Sequence, residues 1–178
     1  MYTRSYERYS FLAGLILSVG ICSMDSWAAP QNDFGAIFAR HWQISKEFTL
    51  AVAEAMPAEG YDFKPNPEEM SFGQLMIHIA DENSRSFARA AKTKPLAQPA
   101  AADKQTAIQF LTDSFDKCAK ELDYMTPEQL DSVAWTFQGR PVLAWEGMWW
   151  AFTMTAHHRG QAEVYLRVKN IKPPAYRF

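Results

Sequence analysis

The stretch Met154-Thr155-Ala156-His157-His158-Arg159-Gly160-Gln161 sets two adjacent imidazoles near the end of a long apolar run, in a chain with only four histidines. Imidazole can bind a divalent metal, carry a proton or hold a buried hydrogen bond. Consecutive helix residues are rotated by about 100°, so His157 and His158 are badly placed to chelate one ion together. The usual helical clamp is an i, i+4 histidine pair, and four residues before His158 stands Met154. A thioether suits Cu(I) better than zinc. Elsewhere His78 and Glu82 lie one helical turn apart, with Asp81 beside them, and His41 falls among apolar residues. Cys118 sits on an apolar stripe and reads as a buried thiol. A nucleophilic role would need a neighbouring histidine or a helix N-terminus to lower its pKa.

These residues need elements to position them, and the periodicity supplies four. Residues 33–56 carry Phe34, Ile37, Phe38, Phe48, Ala51, Val52 and Ala55 at spacings of three and four, one face of an amphipathic helix. Asn32 or Asp33 can cap its start, and Pro57 and Gly60 end it. A second helix begins at Met70 or Ser71, where Ser71 and Gln74 fit a capping box. Phe72, Leu75, Met76, Ile79, Phe87 and Ala90 make its apolar face, and His78 and Glu82 lie on or beside it. Pro95 and Pro99 mark a linker. A third helix spans about 103–124, with Ala107, Leu111, Phe115, Cys118 and Leu122 as its stripe.

Thr126-Pro127-Glu128 signals a short further turn of helix, with Thr as N-cap and Pro first. Residues 132–142 are β-branched and aromatic around Gln138-Gly139, which predicts a small hairpin. The last helix, about 143–169, holds Trp145, Met148, Trp149, Trp150, Phe152 and the histidine pair; Pro173 and Pro174 cannot continue it. The fold expected is all-α, an up-down four-helix bundle with one longer crossover before the last helix. Metal sites in such bundles lie between facing helices, where His78 and His158 could meet.

At this point the residues resemble a known family. "SFGQLMIHIADEN" at 71–83, followed some 75 residues on by "HHRGQAEVYLRVKNIKPPAY", is similar to the DinB-like superfamily, as is the loop "FKPNPEEMS". The resemblance covers about residues 33–176. It implies a DinB/YfiT-like four-helix bundle, often a homodimer. It also implies a divalent ion, commonly zinc or nickel, held by one histidine of the second helix and an HxxxH pair of the last. Carried onto this chain, His78 matches the first ligand and His158 the last, while the remaining one falls on Met154.

A catalytic zinc usually keeps three protein ligands and an open position for water, so four readings stand open. The ion is kept by His78 and His158 with help from water, Glu82 or Asp81. His41 replaces the lost ligand. Met154 ligates a soft metal. Or the metal is gone and a polar pocket remains. The function expected is an exported, metal-dependent hydrolase with an incomplete histidine site, in which His78 and His158 hold the ion and Glu82 is base or orienter. The alternative is a metal-free small-molecule-binding or dimeric interaction module that has lost catalysis. Arg159 is expected to pair with a carboxylate, and His157 to be structural or exposed. Trp145, Trp149 and Trp150 are expected in the core or at a dimer interface, exposure at 149 and 150 favouring the interface.

The chain as a whole narrows the classes. Its 178 residues suit one domain with a real core. A net charge of -2 does not point to nucleic acid as a partner. No Gly-rich phosphate loop, CxxC pair or GxSxG elbow occurs. Residues 1–29 differ: Arg4 and Arg8 precede the uncharged run 11–24, and "SWAAP" at 26–30 offers small residues for cleavage. That three-part pattern is a secretory signal peptide, and the run is shorter than the roughly 20 residues of a membrane span. The expectation is cleavage near Ala28 or Ala29 into the periplasm or medium, with no stable membrane anchor afterwards. Residues 30–178 form the bundle, and Cys118 is left as the single thiol.

Overall fold

A computed structural model describes residues 34–178. The expected signal segment 1–29 and the cap at Asn32 or Asp33 lie outside the described residues. Four long helices carry the fold: α1 (Phe34–Ala55), α2 (Phe72–Ala91), α3 (Lys104–Tyr124) and α5 (Ala144–Val168). A short α4 (Pro127–Leu130) and the strands β1 (Val133–Phe137) and β2 (Arg140–Leu143) fill the crossover before α5.

The local chemistry explains the boundaries. Ser71 Oγ accepts from the Gln74 N–H at 3.2 Å, and Gln74 Oε1 accepts from the Ser71 N–H at 2.8 Å, so the expected capping box starts α2. Thr126 and Gln129 repeat the device at α4. The start of α5 has no side-chain cap at Leu143; Glu146 reaches back to the Leu143 N–H at 2.9 Å instead. The hairpin turns on Gln138 (φ 48) and Gly139 (φ 80), both left-handed as a two-residue antiparallel turn requires.

Helices α2 and α3 pack together, and both α1 and α2 lie against α3 and α5. The contacts set the directions. Lys104, at the start of α3, donates to the carbonyls of Glu54 and Met56 at the end of α1, so these two helices are antiparallel. Asn83 and Met70 of the α2 arm meet Thr155 and Tyr165 of α5, so α2 and α5 are antiparallel too. Gly73 near the start of α2 lies beside Ala102 just before α3, and Asn83 and Thr93 farther along meet Cys118 and Glu121, so α2 and α3 run the same way and residues 92–103 must carry the chain back along α2. They do: the Leu96 N–H is held by Ser84 Oγ at 2.7 Å, and the Ala102 carbonyl lies over Gly73.

The core is aromatic at the α1 end. Phe38, Trp42, Phe87 and Phe115 pack ring to ring, and the Trp42 indole N–H donates to the Phe115 carbonyl at 3.1 Å. Phe38 faces inward, whereas Ile37, expected on the same stripe, is 40% exposed. Among the described residues no helix is long and apolar enough to cross a membrane.

Candidate functional site

Helix α2 brings His78 and helix α5 brings His158 to one place, their Nε2 atoms 3.2 Å apart and their rings nearly perpendicular. His158 Nδ1 lies 2.8 Å from Gln161 Oε1, and Gln161 Nε2 lies 3.3 Å from His157 Nε2. A carboxamide oxygen only accepts, so with Gln161 turned this way His158 Nδ1 is the donor of the pair. Neutral His158 then offers a bare Nε2, within hydrogen-bonding distance of His78 Nε2. The linked side chains run His78, His158, Gln161, His157. Both ring nitrogens of His158 are thereby used.

His158 is buried, and burial holds its imidazole below the ordinary value of 6.5. Repulsion from His78 and His157 acts the same way, while the Gln161 hydrogen bond and the Glu82 charge oppose it. Deeper between the helices, the Thr155 hydroxyl donates to Asn83 Oδ1 at 2.8 Å. On the other side the Tyr165 hydroxyl donates to the Met70 carbonyl at 2.9 Å. Sequence reasoning passed over Asn83 and Thr155, and it expected Gln161 to tie the last helix to neighbouring backbone or carboxylates, whereas Gln161 bridges His158 and His157. The available signal was a polar residue within five positions of a histidine on each facing helix.

The other expected residues are dispersed. Glu82 is half-buried near His158 but makes no hydrogen bond or ion pair among the described residues. Asp81 is taken by Arg85 at 2.7 Å. His157 is exposed, as expected. His41 lies elsewhere, its ring 4.9 Å from that of Phe178. Cys118 is fully buried, and burial pushes its thiol up, so it is no activated nucleophile. Trp149 and Trp150 are 42% and 36% exposed. Arg159 does not pair with a carboxylate: its Nη1 donates to Ser45 Oγ at 3.1 Å and Thr49 Oγ1 at 3.3 Å. Those hydroxyls, one turn apart on the apolar face of α1, were a further unread signal.

The divalent-metal expectation is overturned. Among the described residues no group of three or more His, Cys, Asp or Glu side chains is placed to hold an ion. The physical reason is visible in the donors. Two imidazoles are short of the three protein ligands that a catalytic zinc usually keeps, Met154 stands where a third would be, His41 packs against Phe178 and Asp81 is committed to Arg85. The metal-dependent hydrolase falls with it.

The comparisons agree with this fold. A DinB-like protein from Bacillus subtilis is 20% identical, with TM-score 0.67 over 79% of this chain and 98% of that one. A DinB-like protein from Bacillus cereus is 19% identical, with TM-score 0.68 over 79% and 95%. A conserved protein from Enterococcus faecalis is 19% identical, with TM-score 0.65 over 76% and 96%. At these identities the likeness concerns the fold. No curated protein matches the chain. The model of the DinB superfamily matches residues 41–162, more than half of the sequence, and the chain belongs to that superfamily.

Proposed function

We propose that this chain is a metal-free, small-molecule-binding bundle that has lost catalysis, with His78 and His158 kept as a hydrogen-bonded clasp between α2 and α5. The observation that carries this reading is the engagement of both His158 nitrogens, one by His78 and one by Gln161. With Nδ1 on Gln161 and Nε2 facing His78, the ring ties α5 to α2. Glu82 then acts through space, favouring the charged form of His158. The reading includes export, with residues 1–29 removed and residues 30–178 as the working domain.

Elemental analysis of the untagged, exported protein tests it, before and after chelation and beside His78→Ala and His158→Ala. The expected result is no stoichiometric metal in any sample, with both variants destabilised by about 1–3 kcal/mol through the unpaired partner. Near-stoichiometric metal, lost in both variants, overturns the reading. Mass spectrometry of the same exported sample checks for cleavage near Ala28 or Ala29.

A homodimer is a second reading with its own support. Phe137 and Trp150, both partly exposed, meet at 5.1 Å between ring centroids, and Trp149 lies one position before on α5. Beside them Pro127, Leu130, Asp131, Trp145 and Trp149 line an open cavity of about 450 Å³. Exposed aromatic clusters of this kind suit a protein interface. Light scattering of wild type and Trp150→Glu separates the cases: a dimer dissociated by the substitution supports the interface, and a monomer at all concentrations rejects it.

A further inference from the structure

A second cavity, of about 310 Å³, lies away from the histidine clasp, between α1, the middle of α5 and residues 176–178. Its walls are largely apolar, from Phe48, Phe152, Tyr176 and Phe178 among others. Arg159 also lines it. The guanidinium sits 4.4 Å from the Phe48 ring centroid, a cation–π contact that fixes its plane. Its Nη1 is tied to Ser45 and Thr49. Thr49 gives its own proton to the Ser45 carbonyl at 2.7 Å, so it can only accept from the arginine.

The other charges around this cavity are committed. Glu163 lies one turn beyond Arg159 on the same cavity, pairs with Arg167 at 3.5 Å and acts on the Arg159 charge through space. Arg177 pairs with Glu47 at 3.5 Å. The His41 ring lies against that of Phe178, tilted by 46°. Arg159 has no ion pair among the described residues, and its Nε and Nη2 make no hydrogen bond there. Those two N–H groups form one edge of the guanidinium fork, the edge that grips a carboxylate with two parallel bonds. They are not sealed off, since the buried side-chain atoms without a partner among the described residues are Asn83 Nδ2 and Glu121 Oε2.

We propose that this cavity binds a small carboxylate with an apolar, aromatic-sized body, and that Arg159 takes the carboxylate on its Nε–Nη2 edge. The volume is at the lower end of small-ligand pockets, so the ligand is a single-ring acid rather than a nucleotide or a long lipid. The Ser45 hydroxyl, already accepting from Arg159, holds the guanidinium in register. This site deepens the binding reading above and uses none of the clasp residues.

Phenylacetate, phenylacetamide and inorganic phosphate, each titrated into the full exported protein by calorimetry or chemical-shift perturbation, are the test. The expected result is saturable phenylacetate binding, at least about tenfold weaker for the amide and for Arg159→Gln. Phosphate is expected to bind more weakly still, because it leaves the apolar walls unused. Arg159→Lys keeps the charge but not the fork, and should also lose affinity. If Arg159→Gln fails to fold, the acid–amide comparison on unmodified protein and the lysine variant decide. Equal binding of acid and amide, unchanged affinity in the folded arginine variants, phosphate as tight as phenylacetate, or no saturation by about 10 mM would each overturn the site. His158→Ala should retain phenylacetate binding. Metal found alongside intact carboxylate binding would sink the metal-free reading alone; absent metal without carboxylate binding would sink this site alone.

Discussion

The Thr155 hydroxyl and the Asn83 carboxamide meet at 2.8 Å in the buried seam between α5 and α2, one turn below the histidine pair. Among the described residues the same Asn83 leaves its Nδ2 without a partner, and its backbone carbonyl accepts from the Cys118 thiol at 3.5 Å. This amide is thus already half-satisfied. Replacing Thr155 by the near-isosteric Val removes its last side-chain partner. Thr155→Val is expected to cost about 1–3 kcal/mol, the range for an orphaned buried acceptor. Thr155→Ser keeps the hydroxyl and should cost less. Chemical denaturation of the three proteins measures both; equal stability of Thr155→Val and wild type would mean that water satisfies Asn83.

The pH dependence follows from His158. Burial lowers its folded value below the unfolded 6.5, so at mildly acid pH the unfolded chain binds more protons than the folded one. The stability held by the neutral ring is therefore complete above about 6.5 and is lost as pH falls through the folded value. Wild type should lose stability between pH 7.5 and 5 more steeply than His158→Gln, whose side chain does not titrate. Glu82→Gln removes the charge that opposes the depression and should steepen the loss. Denaturation midpoints across that range give the slopes. A slope unchanged in both variants would place the acid sensitivity in other groups.

Much of this was legible beforehand, and the exceptions share a cause. Long helices announce themselves through period and caps: Ser71 with Gln74, Thr126 with Pro127, and the Gln138-Gly139 turn all act where expected. The meeting of His78 and His158 was also within reach, because each lies on a face that the bundle turns inward. What one helix does to another was not. The return of 92–103 along α2 depends on length and direction, and no single residue encodes it. Arg159 invited a carboxylate partner because buried cations usually have one; the hydroxyls of Ser45 and Thr49 belong to a helix over a hundred residues away. The metal expectation came from the family pattern, and Met154 had already broken the ligand count.

Two glycines should respond in opposite directions to the same change. A β-carbon at Gly73 would lie 1.9 Å from the Ala102 carbonyl oxygen and 3.0 Å from its carbon, backbone atoms that cannot swing aside. Gly73→Ala must push the 92–103 crossover off α2, at a cost of about 3 kcal/mol. Gly160 is helical, and a β-carbon there meets nothing within 4 Å. Gly160→Ala should stabilise by about 0.5–1 kcal/mol through helix propensity and a less entropic unfolded chain. Thermal melts of the two single variants test the pair. A neutral Gly73→Ala would show that the crossover is loosely held.

Cys118 offers a report on opening of the core. Its side chain is fully buried between α3 and α2, and burial raises its thiol far from the reactive range. The chain has two cysteines, so a Cys22→Ser background leaves one. An aromatic disulfide reagent at pH 8 should label Cys118 only through opening of the bundle. The labelling rate is then set by the stability of the α2–α3 seam, and Thr155→Val, which weakens the neighbouring Asn83, should accelerate it. At the 1–3 kcal/mol expected for that variant, the acceleration is about 5- to 150-fold if opening is global. Fast labelling of wild type, unaffected by Thr155→Val, would mean that a local path reaches the thiol without unseating α2.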